Sequence, residues 1–155
     1  MLLIKIGGGQ TINWEGISHD IKLLWEKEKI ILVHGASEKR NELARKLGVQ
    51  VKTVVSPSGV QSVYTDQELL EVFLMVYPGL VNKKIVALLQ KDGINAVGLS
   101  GVDGRLWQAK PKKDLLVQEE NRVKLLTGNL TGRVEIINVN LIKLLLDHNY
   151  LPVIC

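Results

Sequence analysis

The segment Ile30-Ile31-Leu32-Val33-His34-Gly35-Ala36-Ser37 decides the fold. Four consecutive apolar residues suit a strand buried on both faces, as in a parallel sheet covered by helices. His34-Gly35-Ala36-Ser37 is its exit loop. Ser37 is placed to cap a helix running to Leu47, with Gly48 as the C-terminal stop. The same grammar stands upstream. The apolar run Leu2–Ile6 ends in Gly7-Gly8-Gly9, and Asn13 caps a helix with Trp14, Ile17, Ile21, Leu24 and Trp25 along one face.

Downstream, residues 49–63 alternate apolar and polar around Ser56-Pro57-Ser58-Gly59, a hairpin signature. Thr65-Asp66-Gln67-Glu68 reads as a capping box through Thr65 and Glu68, opening a helix that Pro78-Gly79 interrupts. A second helical stretch runs from Leu80 to about Lys91. Residues 105–127 read as short hairpins. Asn138 or Asn140 caps a last helix before the apolar strand 151–154. Strands alternating with helices predict an α/β protein: a three-layer α/β/α sandwich with a mainly parallel sheet. Its expected central strands are residues 2–6, 30–33, 96–99 and 151–154.

Length and composition set bounds on function. The chain has 155 residues, 46% hydrophobic and 23% charged, which fits one folded domain. The longest uncharged stretch, residues 53–65, is too short and too polar to cross a bilayer. The N-terminus lacks a signal-peptide pattern, and the lone Cys155 can form neither an internal disulfide nor a zinc site. A cytoplasmic location is expected. The net charge of +4 comes with 5% aromatics and with acids mixed among the bases, which argues against nucleic-acid binding. An anionic substrate or an acidic protein partner fits the charge.

Several chemistries are excluded. There is no Walker loop, no dinucleotide fingerprint and no Gly-x-Ser-x-Gly elbow. Ser100-Gly101 and Asp103-Gly104 read as turn chemistry. What remains is Lys5 at the end of the first strand, followed by Gly7, Gly8 and Gly9, with the second small-residue loop at 34–37. Glycines let backbone N–H groups approach an anion, and a lysine adds a point charge. In parallel sheets ligands bind beyond the carboxyl ends of strands. The two loops are therefore the candidate site for an anionic ligand.

Lys5-Ile6-Gly7-Gly8, Val33-His34-Gly35, Ser58-Gly59-Val60, Tyr64-Thr65-Asp66, Val81-Asn82-Lys83, residues 95–104 and residues 150–154 follow one another in an order that resembles the amino-acid kinase family, whole chain included. The acetylglutamate kinase branch is most similar, in particular kinases of carrier-protein-linked 2-aminoadipate. The resemblance implies phosphoryl transfer from ATP, with Mg, to a side-chain carboxylate of an N-blocked amino acid in lysine or arginine biosynthesis. The product is an acyl phosphate. The acceptor is carrier-linked 2-aminoadipate or glutamate, or N-acetylglutamate. A carboxylate is ionised at neutral pH, so no general base is required. On this reading Lys5 is catalytic, Gly7, Gly8 and Gly9 hold phosphate oxygens, and Gly35 and Ala36 contact the substrate. The 49–63 hairpin covers it as a lid. An acidic amino-group carrier protein or a small acylated amino acid is the implied partner, and a homodimer the implied assembly. No metal site of the chain's own is expected.

Three departures from the family pattern stand out. Ala36 replaces a glycine, and its methyl is expected to crowd a loop needing close approach or positive φ. Val63 replaces the arginine that holds the substrate α-carboxylate; Lys52 is a neighbouring cation that could substitute. The chain also stops at Cys155, before the nucleotide-binding lobe. Residues 1–155 are thus expected to be the amino-terminal, substrate-binding lobe of such a kinase, inactive alone. A non-catalytic amino-acid-binding or regulatory module is the alternative. The strand 151–154 is then expected to lie at an exposed sheet edge.

Overall fold

The computed structural model describes residues 1–120 and 122–155. Its central sheet contains β1 (Leu2–Ile6), β2 (Ile30–His34), β5 (Ala96–Leu99) and β10 (Leu151–Ile154), in the order β1-β2-β10-β5. Every pairing in it is parallel. All four expected strands form, but only β2 and β10 are central. β1 and β5 are edges, and Leu2, Leu3 and Lys5 of β1 are exposed. Apolar runs mark strands; they do not specify which strand has two neighbours.

The last strand corrects the sequence reading more sharply. β10 inserts between β2 and β5, and Leu151, Pro152, Val153 and Ile154 are all buried. It forms no exposed edge. Pro152 is tolerated there although proline lacks an N–H to donate to the ladder.

One face of the sheet meets α1 (Trp14–Trp25) and α4 (Asn82–Lys91). Ile21, Ile85 and Leu89 from these helices bury against Ile30, Leu32, Ala96, Leu151 and Val153. Trp14, Ile17 and Trp25 also pack there, so the 3.6-residue stripe read from α1 is its buried face; Leu24 stays exposed. Helix α5 (Val139–Asp147) packs on β10, and its buried Leu146 lies outside this cluster. A second apolar cluster joins α2 (Ser37–Leu47) to α3 (Gln67–Leu74) through Ala36, Ala44, Leu69, Val72 and Val76.

Pro78-Gly79 does not break the helix. Residues 67–91 run continuously through a π-helical segment, Met75–Val81, that absorbs the proline. By length and composition this 25-residue helix could cross a membrane. Its Leu69, Val72, Val76, Ile85 and Leu89 are instead buried in the two protein cores.

The caps follow two of the four sequence readings. Asn13 accepts from the Gly16 N–H, and Asn138 from the Leu141 N–H. Thr65 is not a cap. Its hydroxyl donates to the Val63 carbonyl, and the cap moves to Asp66, which accepts from the Leu69 N–H at 2.9 Å. Ser37 is not a cap either: Ala36 holds the N-cap position without a side-chain bond, and the Ser37 hydroxyl turns to the Gly8 carbonyl.

The expected hairpins form. β3 (Lys52–Val55) pairs antiparallel with β4 (Gln61–Tyr64). β7 (Leu115–Glu119) pairs with β8 (Arg122–Leu126), the intervening Asn121 lying outside the described residues. β6 (Trp107–Lys112) pairs at longer range with β9 (Thr131–Ile137). Val54 of β3 is buried with Leu115 and Val117 of β7, so the two hairpins pack together. Asn129 ties them down. Its Oδ1 accepts from the Thr65 N–H and its Nδ2 donates to the Lys112 carbonyl.

Candidate active site

Register places the two glycine loops side by side. β1 and β2 pair in parallel from Leu2↔Ile30 to Ile6↔His34, so both chains leave the sheet at the same end. The Gly35 N–H donates to the Ile6 carbonyl at 2.9 Å, and the Glu38 N–H donates to the Gly8 carbonyl at 3.1 Å. The loops touch through backbone. A β-carbon on Gly8 would fall on the Ser37 nitrogen and 2.7 Å from the Ala36 nitrogen, while one on Gly35 would lie 2.9 Å from the Gly8 nitrogen. Such distances exclude a side chain at either position without movement of backbone. Gly7 and Gly9 differ, because a β-carbon there meets nothing within 4 Å.

A cleft of about 590 Å³ opens beside the loops, lined by Gly8, Gly9, Gly35 and Ala36 and walled by Trp14, Lys39 and Lys84 among others. Of the residues singled out from sequence, four therefore share one cavity. Lys5 does not line it. Ile4 and Ile6 pack toward the α1–α4 core, so alternation turns Lys5 to the opposite face of β1, where it is exposed.

Ala36 is not a crowded glycine replacement. Its φ is −154°, which any residue adopts, and its methyl is buried in the second apolar cluster. Val63 lies opposite Thr53 in the hairpin and packs against that same cluster. Lys52 stands across from Tyr64 in the register pair next to Val63, exposed; the Glu119 carboxyl is lowered by its bond to Lys124, with a smaller contribution from the charge of Lys52.

Sequence reasoning passed over a buried polar network at the ends of β2 and β10. The carbonyls of Gly35 and Val153 are acceptors only, which assigns every proton in it. His34 Nδ1 donates to the Gly35 carbonyl at 3.1 Å. Asn82 Nδ2 donates to the Val153 carbonyl at 2.9 Å and to His34 Nε2 at 3.1 Å. Asn82 Oδ1 accepts from Lys83 Nζ, which also reaches the Gly98 carbonyl. His34 is thus a neutral Nδ1–H tautomer with both ring nitrogens engaged. Burial lowers its pKa below 6.5, and the Gly35 bond opposes this more weakly. The ring is a structural strut, unavailable as a base. Motifs 33–35 and 81–83 contained these residues, but nothing in the sequence joins positions 48 apart.

Ser100 and Asp103 form the expected turn. Asp103 Oδ2 accepts from the Ser100 N–H at 2.6 Å and from its hydroxyl at 2.7 Å, and these bonds lower the Asp103 carboxyl. Among the described residues no three His, Cys, Asp or Glu side chains gather as a metal site.

The model of the amino acid kinase family matches residues 1–155. The chain is 46% identical over 155 residues to the [LysW]-aminoadipate kinase of Thermus thermophilus, covering 99% of this chain and 58% of that protein. It is 39% identical over 151 residues to the [LysW]-aminoadipate/[LysW]-glutamate kinase of Saccharolobus solfataricus, covering 93% and 56% respectively. The chain spans a little over half the length of these curated relatives. Among solved structures, smu.665 from Streptococcus mutans superposes with a TM-score of 0.72 at 18% identity, covering 98% of this chain and 56% of that one. Isopentenyl phosphate kinase superposes at 0.57 with 17% identity, covering 98% and 55%. These two likenesses speak for the fold alone. The chain belongs to the amino acid kinase family.

Proposed function

We infer that residues 1–155 act as the substrate-binding lobe of a kinase that transfers the γ-phosphoryl group of ATP to a side-chain carboxylate. The acceptor is an N-blocked acidic amino acid: carrier-linked 2-aminoadipate, carrier-linked glutamate or N-acetylglutamate. The observation that carries this reading is the backbone contact between the loops at Gly8 and Gly35. It leaves a surface of small residues at the carboxyl ends of two parallel strands, where two anionic groups can be brought in line. The engaged, neutral His34 fits the chemistry, because an ionised carboxylate needs no base to attack phosphorus.

Lys5 is the residue proposed to neutralise the transferring phosphoryl group, with the N–H groups of Gly7, Gly8 and Gly9 holding its oxygens. The open space beside Gly7 and Gly9 suits that role. ATP would supply the phosphoryl group. Magnesium would travel with its phosphates, since the described residues assemble no acidic cluster of their own. The adenine pocket would belong to a second lobe, and residues 1–155 by themselves are expected to be inactive.

Charge supports a carrier protein as partner. Residues 105–133 hold seven Lys and Arg against three Asp and Glu, equal to the net +4 of the whole chain. Most of them lie on the β6–β9 ribbon and on the β7–β8 hairpin, the latter packed against the lid hairpin. An acidic carrier would be steered to that surface. A cytoplasmic homodimer is the expected setting. The alternative of a non-catalytic binding module is favoured by one observation, Val63 in place of a cation.

The test is direct. A protein carrying both lobes is incubated with ATP and each of the three acceptors, and acyl phosphate is trapped as a hydroxamate with hydroxylamine. Hydroxamate formed with the carrier-linked acceptors is expected. Acceptor binding without transfer, in a chain carrying both lobes, would favour the binding module.

A further inference from the structure

Asn82 is a fully buried polar side chain in a helix interior. It is 0% exposed and opens α4 in the middle of the continuous helix 67–91, directly after the π-helical segment. Asparagine is a poor helix former, and here it caps nothing. Its amide is nevertheless matched group by group. One Nδ2 hydrogen goes to the Val153 carbonyl at 2.9 Å and the other to His34 Nε2 at 3.1 Å, while Oδ1 accepts from Lys83 Nζ at 3.2 Å. A β-carbon on Gly98 would lie 1.9 Å from that Oδ1, so the neighbouring strand is cut to fit it. One side chain thus joins α4 to the ends of β2 and β10 and, through Lys83, to β5.

What this joint controls is His34. The other ring nitrogen, Nδ1, donates to the carbonyl of Gly35, the glycine that interlocks with Gly8. Both Nδ2 hydrogens of Asn82 are committed, so a proton on Nε2 would confront an N–H. Turning the amide over relieves that clash, but it sets Oδ1 against the Val153 carbonyl and Nδ2 against the Lys83 ammonium. An imidazolium therefore has no place in the network. The charged and titratable groups on the surrounding elements are Lys5 of β1, Arg40 of α2, Tyr77 of the π-helical segment, Lys83 of α4, Asp103 beyond β5 and Cys155 after β10. Among the described residues none of them bonds the ring, whose pKa is lowered by burial against the weaker pull of the Gly35 bond.

We propose that Asn82 is a positioning residue for the Gly35–Ala36 loop: by donating to His34 Nε2 it keeps the imidazole neutral and Nδ1–H on the Gly35 carbonyl, so that the loop holds its ligand-binding shape only while His34 is unprotonated. The effect travels through backbone. The Gly35 N–H bonds the Ile6 carbonyl and the Glu38 N–H bonds the Gly8 carbonyl, so a turn of His34 that draws Gly35 with it disturbs both glycine loops. Neither Asn82 nor His34 lines the cleft; both act through the loop that does. The proposal rests on the reading above that Gly35 and Ala36 contact the acceptor.

Histidine NMR and calorimetry of the chain, carried out between about pH 5 and 8, decide it. Ring-nitrogen shifts should show His34 as the Nδ1–H tautomer, titrating below 6.5. The probe is N-acetyl-L-glutamate, whose carboxylates stay ionised in this range. Its affinity should be level above the His34 midpoint and about tenfold weaker one pH unit below it, as the competent fraction falls. Without ligand, the Gly8 and Glu38 amides should shift with the same midpoint. Asn82→Ala removes the N–H that excludes the proton, and Asn82→Asp supplies an acceptor for it. Each should abolish the acid step in affinity and in the amides, and Asn82→Asp should raise the His34 midpoint above 6.5. His19→Gln, at an exposed site, should leave the step in place. A purely structural Asn82 would lower the melting temperature on substitution and leave the step where it was. Where a variant does not fold, the wild-type tautomer and amides still decide. An Nε2–H tautomer, amides indifferent to His34, or a step that persists in folded Asn82→Ala overturns the proposal. Binding that stays level through the His34 midpoint overturns this proposal alone. Amides that follow His34 in a chain that does not bind N-acetyl-L-glutamate uphold it and sink the acceptor reading alone.

Discussion

The backbone nitrogen of Gly8 lies 2.9 Å from where a β-carbon on Gly35 would stand. Two loops 27 residues apart in sequence are thus packed backbone to backbone, and each requires the other's missing side chain.

This separates the glycines into two classes. Gly8→Ala and Gly35→Ala should each destabilise by about 1–3 kcal/mol, as overpacking does. Gly7→Ala and Gly9→Ala meet open space and need no positive φ, so their melting temperatures should stay close to wild type. Thermal melts of the four variants check this. A Gly8→Ala protein as stable as wild type would show that the loops do not interlock.

Lys5 should affect rate without affecting folding. Its side chain is exposed on β1, so Lys5→Ala should leave the melt unchanged. In phosphoryl-transfer assays of a chain carrying both lobes, kcat should fall ~10²–10³-fold with little change in KM, because the lost charge acts on the transition state. Equal turnover would reduce Lys5 to a strand-end residue.

Asn129 should control the coupling of the two hairpins. It is buried, and besides Thr65 and Lys112 it bonds the Thr131 hydroxyl. Asn129→Ala leaves the Thr65 N–H buried without a partner, a loss of ~1–3 kcal/mol. Hydrogen exchange should show the Thr65 and Leu130 amides losing protection while β2 and β10 keep theirs.

Glu42 should lend α2 a pH-dependent contribution. Lys39 and Lys46 bond its carboxylate at 2.6 and 2.7 Å and lower its pKa from 4.5 to about 2. A carboxyl depressed in the folded state stabilises above its unfolded pKa. That contribution is lost as pH falls from about 4.5 through about 2. Glu42→Gln should flatten the melting temperature across that window relative to wild type. The difference should shrink in high salt, since the pairs are largely at the surface.

Periodicity and punctuation, which are local, were enough to place most elements. Four apolar runs became β1, β2, β5 and β10, the α1 stripe found the core, and Ser56-Pro57-Ser58-Gly59 turned a hairpin. The ordered motifs likewise sufficed for the family. Tertiary structure alone decided the rest, because each remaining question concerns partners distant in the chain. β10 lies at the centre of the sheet because its neighbours begin 121 and 55 residues earlier, a choice that no run of apolar residues encodes. Ser37 lost its cap to a contact with Gly8 that exists only after folding, whereas Thr65 lost its to the adjacent Asp66, its hydroxyl turning to the Val63 carbonyl and its N–H to the distant Asn129. Ala36 became a core residue, and Val63 packs half-buried against the same cluster, because α2 and α3 come together there. In the sequence Arg40 is one of several charges, among Glu38, Lys39, Glu42, Arg45 and Lys46. Only packing could bury it with no acid among the described residues as its ion-pair partner, since burial is a property of the assembled chain and not of any segment.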